Sequence, residues 1–299
     1  MNTKALQPPN LGDLNNRHLA SGRVIFVAGG TGLDTNEGTD PDFPKKTYAS
    51  ALALCTDYQN DYIFIRDSWN EDGGQITVSK HGVHIIGIGR GANPIAWLAA
   101  TGDIHMMNVT GYYVELAGLG FGGGGTKAGI QASNSTGLWV HDCFFGLNDI
   151  GDTPQEGILL ANQVNAYMAI ENNLFTGSQG DSQGKISASG IRGTGTNLAR
   201  QLLIRGNRFL AIPTNAIRLE NCYDGQILEN FFRVPDAANG EAIYLGANAR
   251  ECVVLKNRAA NGMLNAGYTY NPYRDTSPNT ANGWGDNYRG NSVIEPVGA

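Results

Sequence analysis

Four carboxylates that could act on a sugar chain lie in two polar segments of the sequence. The segments GLNDIGDTPQE and TGSQGDSQGKIS directly follow Phe145 and Phe175. They contain Asp149, Asp152, Glu156 and Asp181. Glycoside hydrolysis needs two carboxyl groups about 5 to 9.5 Å apart, whereas elimination by a lyase pairs a base with an arginine, a lysine or Ca²⁺. The four residues are therefore candidate catalytic groups, and ordinary acidic surface loops are the alternative.

Two arginines complete the candidate catalytic set. Arg192 and Arg218 each follow a small-residue–Ile pair, Gly190-Ile191 and Ala216-Ile217. If these pairs recur at one place in a repeat, the arginines point outward from neighbouring units. Stacked like charges are unfavourable unless a carboxylate or another anion lies nearby. Glu220 is the structural partner that the sequence offers, and an acidic sugar is the functional alternative.

Aromatic residues in the polar C-terminal stretch form a second candidate set. Tyr268, Tyr270, Tyr273 and Trp284 lie among Asn, Gly and Pro residues. Such side chains can stack on sugars. They can equally cap the end of the fold or form an oligomer contact, so both functions remain open.

Metal and cofactor chemistry is not predicted. His84 and His105 lie in similar contexts, VHII and IHMM, and could stack on neighbouring repeats. Two histidines make a poor metal site without a third ligand. The widely spaced Cys55, Cys143, Cys222 and Cys252 are interpreted as buried thiols rather than disulfides or metal ligands.

Composition excludes two classes of partner. The net charge is −6 and the basic residues form no cluster larger than Lys45-Lys46, so a nucleic-acid groove is not expected. No apolar run reaches the ~18 residues of a membrane span. Residues 1–22 are polar and lack the apolar core of a secretion signal, so we interpret them as an N-terminal arm.

The elements that position these groups recur along the chain. MAIENNLFTG, LIRGNRFLA and ILENFFR share an Ile-x-x-Asn-x-Phe pattern. The Phe slot is occupied at Phe121, Phe145, Phe175, Phe209, Phe232 and Ala259. We predict that Phe points inward and stacks on the Phe of the next unit, and that Asn stacks at a turn in left-handed geometry. The predicted turn residues are Asn173, Asn207, Asn230, Asn257 and Asn291, with Cys143 in the first slot.

A unit of two dozen residues cannot bury its own apolar face, so it must stack on its neighbours as a solenoid. The 41 glycines and period-2 segments such as AIYLG exclude helical repeats. The pattern predicts an all-β, right-handed, single-stranded parallel β-helix. Alignment of the units also predicts ion pairs between adjacent coils, Glu171–Arg205 and Glu229–Lys256.

The N-terminal part carries a resemblance to a known superfamily. VAGGTGLDTNEGTDPDFPKKTYASAL, YIFIRDSW and VHIIGIG read as a strand, a short capping helix and the first coils. They resemble the start of the right-handed parallel β-helix (pectate-lyase-like) superfamily, and the phage tailspike or virion type of member fits this chain. The predicted domains are an arm at 1–22, a β-helix at 23–262 with its cap at 23–60, and an irregular aromatic-rich segment at 263–299 with a last partial coil.

The resemblance implies fold more specifically than activity, because the superfamily includes lyases, hydrolases, epimerases and inert virion proteins. The first hypothesis is a non-enzymatic phage virion protein: a capsid decoration, head fibre or short tail spike. It would be a homotrimer on the virion surface, or otherwise extracellular, joined to other virion proteins through residues 1–22, and it could bind a host-surface polysaccharide. The alternative is a polysaccharide lyase or glycoside hydrolase of the tailspike depolymerase type.

Overall fold

The protein is a right-handed parallel β-helix in the computed structural model. It describes residues 22–66, 69–70, 74–88, 96–100, 102–123, 125–146, 154–161, 165–177, 186–194, 198–233, 241–260, 271–277, 282–289, 292–294 and 296–297. The strands form three long sheets, whose members are given in the next paragraph. Each full coil passes through them in the order sheet 2, sheet 1, sheet 3. The pairing is parallel throughout these sheets, apart from the terminal antiparallel contact between Tyr288–Arg289 and Ser292–Val293.

Sheet 1 has ten strands, in spatial order Val24–Val27, Asp61–Ile65, Val83–Gly87, Glu115–Ala117, Trp139–His141, Ala169–Glu171, Leu203–Arg205, Gln226–Leu228, Val253–Leu255 and Gly283–Gly285. Sheet 2 has eight: Ile76–Val78, Met107–Val109, Ala128–Ser133, Glu156–Ala161, Ser189–Gly193, Asn215–Leu219, Glu241–Leu245 and Tyr273–Asp275. Sheet 3 has ten: Trp69–Asn70, Ala96–Ala100, Leu119–Gly123, Phe144–Phe145, Leu174–Thr176, Arg208–Leu210, Phe231–Arg233, Arg258–Ala260, Tyr288–Arg289 and Ser292–Val293. A short fourth sheet pairs Asn165–Ala166, Ala199–Arg200 and Cys222–Tyr223.

A short helix, Tyr48–Leu54, lies against the N-terminal end of the core. Thr47 caps it, since its side-chain oxygen accepts a hydrogen bond from the Ser50 amide at 3.2 Å. Tyr48, Ala51 and Leu52 are buried, which covers the end of the apolar interior. The predicted capping helix is thus present. No helix among the described residues combines the length and apolarity that crossing a membrane requires.

The phenylalanine stack is as predicted. Phe121, Phe145, Phe175, Phe209 and Phe232 are 0 to 1% exposed, and successive ring centroids lie 4.6 to 5.1 Å apart with nearly parallel planes. This distance follows the ~4.8 Å separation of neighbouring strands. Small residues in sheet 2 make room for the rings. A Cβ added at Gly157 or Gly190 would come within 2.7 Å of a phenyl carbon.

The asparagine ladder is present, with two corrections. Asn173, Asn207, Asn230, Asn257 and Asn287 are buried and joined from coil to coil, so Asn287 takes the place predicted for Asn291, which is outside the described residues. Cys143 fills the first slot and donates its amide to Asn173 at 2.9 Å. The left-handed residue is the one before each ladder position. Because that preceding residue turns the chain, the side-chain amide of each ladder asparagine points inward and forms its hydrogen bonds to the neighbouring coil.

The solenoid continues beyond residue 262. Tyr273–Asp275, Gly283–Gly285 and Tyr288–Arg289 join sheets 2, 1 and 3, which forms a further coil where an irregular segment with a partial coil was predicted. The insertion at 261–270 hides this coil from the repeat spacing. The four cysteines are all buried and free, as predicted.

Candidate functional site

The two long insertions emerge from the same corner of the solenoid. Each leaves sheet 3, after Phe145 and after Phe175, and leads into the next strand of sheet 2, at Glu156 and Ser189. Asp149, Asp152 and Asp181 lie outside the described residues, so the predicted carboxylate cluster is described only at Glu156.

Glu156 is buried beneath an arginine. Its side chain is 3% exposed, and Oε1 accepts a hydrogen bond from Arg192 Nη1 at 2.7 Å, whose own side chain is 38% exposed. Burial raises the pKa of Glu156, and the hydrogen bond and charge of Arg192 offset this only in part. The Arg192 guanidinium is thereby held at the surface of sheet 2.

Arg192 and Arg218 are paired neighbours on the outer face of sheet 2, as the repeat predicts. Arg218 binds Glu220, with Nε to Oε1 at 2.7 Å, so the carboxylate partner expected from the sequence is confirmed. These contacts allow two like charges to stack on adjacent coils.

Tyr244 and Arg274 continue this column, and we call Arg192, Arg218, Tyr244 and Arg274 the arginine ladder. The guanidinium carbons of Arg218 and Arg274 lie 5.1 and 5.7 Å from the centre of the Tyr244 ring, within cation–π range. Arg274 Nη1 contacts Glu241 at 3.3 Å. Sequence reasoning missed Arg274 because it assigned the neighbouring Tyr273 to an irregular tail.

The two histidines that the sequence offered as stacking neighbours, His84 and His105, do not lie in this column. His84 is in sheet 1, paired with Tyr62 and Glu115, and His105 precedes its strand of sheet 2, where Nδ1 accepts the Ala128 amide. The two imidazoles do not stack on adjacent coils. The period-2 pattern around each histidine is the same in all three sheets, so it could not assign the sheet.

Sheet 1 carries a charged cluster that the sequence did not predict. Glu115 lies between two histidines, with His84 Nδ1 at 2.5 Å from one oxygen and His141 Nε2 at 2.9 Å from the other. His141 Nδ1 also contacts Asp142 at 2.7 Å. Aligning the units on their left-handed turn residue, Gly118 with Asp142, would have placed the Glu115 and His141 columns side by side.

The ionisation of this cluster is set by its contacts. Burial alone would raise the pKa of Glu115, but hydrogen bonds from His141 and His84 outweigh it and lower the pKa to about 2. Burial alone would lower the pKa of His141, but hydrogen bonds to Asp142 and Glu115 raise it to about 9. Near neutral pH the cluster holds a carboxylate bonded to an imidazolium, and its role in the described contacts is structural.

One of the two predicted ion pairs between coils is present. Arg205 Nη2 lies 2.7 Å from Glu171 Oε1, and Glu171 also accepts a hydrogen bond from the Trp139 indole at 3.1 Å. Glu229 and Lys256 lie on neighbouring coils but are not among the ion pairs formed within the described part of the chain.

The C-terminal aromatic set is largely structural where it is described. Tyr273 is 0% exposed and donates its hydroxyl to the carbonyls of Asn257 and Tyr288, so its prediction as a glycan contact is wrong. Trp284 is partly buried against the core and donates its indole N–H to Asp275 at 2.9 Å. Tyr268 and Tyr270 lie outside the described residues. In the described ranges no group of three or more His, Cys, Asp or Glu side chains could hold a metal ion.

The comparisons with known proteins concern only the fold. No family model and no curated protein matches this chain. Similar solved structures include Escherichia coli YbhC, at 11% identity and a TM-score of 0.49, covering 88% of this chain and 75% of that one. An alginate lyase from Paenibacillus sp. is 14% identical, with a TM-score of 0.46 and coverages of 80% and 91%. The pectin methylesterase from Aspergillus niger is 11% identical, with a TM-score of 0.44 and coverages of 92% and 91%. At these identities and TM-scores no activity is transferred to this chain.

Proposed function

We propose that the protein binds an acidic polysaccharide on the outer face of sheet 2. The observation that carries this proposal is the arginine ladder: three guanidiniums, 38 to 50% exposed, each held by a carboxylate that is 3 to 24% exposed. The carboxylates lie beneath, and the donors face solvent. Neighbouring coils repeat at ~4.8 Å, so the ladder presents an ordered row of donors along the solenoid axis.

Guanidinium groups bind carboxylates and sulfates through two parallel N–H donors, and they lose less entropy when their orientation is already set. In the arginine ladder this orientation comes from Glu156, Glu220 and Glu241. Because each arginine already has a negative partner, the face is close to neutral. Recognition therefore depends on hydrogen-bond geometry, in a chain whose net charge of −6 would repel a polyanion at longer range.

Arg218→Gln is the variant that tests this binding. Arg218 is chosen because its partner Glu220 is partly exposed, so the unpaired carboxylate can be solvated. We expect at least a tenfold loss of affinity for polygalacturonate or alginate, since hydrogen bonds to charged groups contribute about 1.5–3 kcal/mol each. Affinity electrophoresis measures this loss. Arg208→Gln, on sheet 3 and away from the ladder, is the control. Equal binding by wild type and Arg218→Gln, or equal binding of dextran and the acidic chains, contradicts the proposal.

Cleavage of the bound chain is a second candidate function, favoured by the raised pKa of Glu156 beside Arg192. A carboxyl group paired with an arginine is an arrangement that acid–base catalysis on a sugar chain can use. If this function holds, incubation with an acidic polysaccharide releases reducing ends or unsaturated uronate absorbing in the ultraviolet. Glu156→Gln should abolish that release, and it should weaken binding less than Arg218→Gln does, because the Gln oxygen can still accept the Arg192 hydrogen bond. An uncleaved substrate excludes the enzyme and leaves a binding protein.

The virion roles predicted from the sequence stay predictions. No described contact favours a capsid decoration, head fibre or tail spike over another polysaccharide-binding protein, and residues 1–21 of the expected arm lie outside the described part. The homotrimer and the virion-surface location are likewise untested. The virion hypothesis is compatible with polysaccharide binding, because a protein on a virion surface could bind a polysaccharide of the host surface.

A further inference from the structure

At the corner that leads into sheet 1 each coil has a residue with a left-handed backbone, and the first coil has a second one, Asn60 at φ 55°. The φ of the residue aligned from coil to coil lies between 50° and 70°, and from Tyr58 to Asp224 its amide donates to a carbonyl of the next coil. The column consists of Tyr58, Gly82, Tyr113, Gly137, Tyr167, Gln201, Asp224 and Glu251. The strict repetition of this geometry means that the backbone, and not the side chain, is what the fold requires there.

Tyrosine and glycine alternate over the N-terminal part of this column. Tyr58, Tyr113 and Tyr167 are separated by Gly82 and Gly137, and we call the three tyrosines the tyrosine row. Left-handed geometry costs a residue with a Cβ roughly 1–2 kcal/mol, and glycine or asparagine fills it at little cost. The three tyrosines are 59 to 60% exposed, so burial in the core does not compensate for the strain. A bulky ring at such a place indicates a use for its outward position.

Two of the three rings, those of Tyr58 and Tyr113, contact the coil beside them. The Tyr58 ring stacks on His81 at 5.0 Å with an angle of 10° between the planes. The Tyr113 ring lies over Gly137, since a Cβ there would fall 2.6 Å from Tyr113 Cδ1. Two coils separate successive tyrosines, so the row repeats at about 10 Å along the axis. It is a series of separated rings.

We propose that the tyrosine row binds a polysaccharide that runs parallel to the solenoid axis, with its pyranose rings stacked on the tyrosines. A pyranose has an apolar C–H face and a hydroxyl rim, which match the apolar ring and polar hydroxyl of tyrosine. Glycine gaps interrupt the row, whereas a protein partner needs a continuous patch of ~800 Å². A linear polymer contacts the rings at intervals and requires no such patch.

The tyrosine row lies in the N-terminal half of the solenoid and the arginine ladder in the C-terminal half. The row lies on the corner that leads into sheet 1 and the ladder on the outer face of sheet 2, so the two sites are offset from each other. The inference rests on the proposed function only for its ligand class. It adds a contact that is independent of charge, and therefore insensitive to salt, in contrast with the guanidinium contacts.

The test replaces all three tyrosines with asparagine, which tolerates the left-handed backbone. The variant Tyr58→Asn/Tyr113→Asn/Tyr167→Asn should keep or raise the thermal midpoint, since a strained residue is replaced. Its affinity should fall at least tenfold in affinity electrophoresis at 0.5 M NaCl with polygalacturonate and alginate as probes. Phe43→Asn, which alters a side chain 57% exposed away from the row, is the matched control and should leave binding unchanged.

The outcomes separate this inference from the proposed function. If the triple variant binds like wild type while Arg218→Gln loses binding, the tyrosine row is not a site and the proposed function stands. If only the triple variant loses binding, the row is the site and the ladder is not. A thermal midpoint lowered by more than about 5 °C, or a self-association that disappears in the variant without any glycan binding, overturns the inference. Absence of wild-type binding to every probe overturns both.

Discussion

Replacing Asn173 by alanine is expected to destabilise the solenoid by about 3 kcal/mol, because its buried hydrogen bonds have no substitute. Asn173 is 1% exposed. Its Oδ1 accepts the Cys143 amide at 2.9 Å, and Nδ2 donates to the carbonyl of Val140 and to Oδ1 of Asn207, both at 3.0 Å. The substitution leaves a buried amide and a carbonyl unpaired between two coils.

The adjacent asparagine provides a control that differs by one position. Asn172 is exposed and has φ 55°, and its amide bond to Arg205 involves only the backbone. Asn172→Gly should therefore change stability by no more than ~0.5 kcal/mol. Urea unfolding followed by circular dichroism measures both variants. Equal effects of the two substitutions would mean that the ladder does not hold the coils together.

Replacing Glu115 by glutamine is expected to lower the free energy of unfolding by about 3 kcal/mol at pH 6. The carboxylate bonds to His84 and His141 at once, and its removal leaves a buried imidazolium with only the exposed Asp142 as partner. Glu229→Gln, on an acid outside the described ion pairs, should have almost no effect. The comparison by urea unfolding at one pH isolates the cluster.

The same cluster makes stability depend on pH in two separate windows. The pKa of His141 is raised from 6.5 to about 9, so its contribution is complete below pH 6.5 and is lost as pH rises through 9. The pKa of Glu115 is lowered from 4.5 to about 2, so its contribution is complete above pH 4.5 and is lost as pH falls through 2. The stability difference between wild type and Glu115→Gln should be largest between about pH 4.5 and 6.5. A difference that is constant from pH 5 to 9 contradicts this account.

The parts of the site that the sequence predicted are those tied to the repeat. Arg192 and Arg218 follow the same small-residue–Ile pair one unit apart, and their adjacency and the Glu220 contact could be predicted from that spacing. Arg274 belongs to the same column but follows the 261–270 insertion, which breaks the spacing. A variable loop carries no information about the register of the strand that follows it.

Contacts that join different coils across a sheet or a corner could be identified only from the structure. Glu115 is 31 residues from His84 and 26 from His141, and outward positions alternate identically in every strand. Only the hydrogen-bonded register shows which of these positions face the same way. The tyrosine row likewise could be found only in the structure, because Tyr113 and Tyr167 differ from other tyrosines only in their backbone geometry and exposure.

The sequence by itself determined the solenoid, its period, the phenylalanine stack and nearly all of the asparagine ladder. These depend on residue type at a recurring position, where a core needs apolar side chains and a buried turn needs an amide that both donates and accepts. Only the tertiary structure decided which side chains share a face and which candidates are buried, as Tyr273 is. Which side chains share a face depends on the stacking register of the coils. That register cannot be predicted from residue spacing, because the loops between strands differ in length.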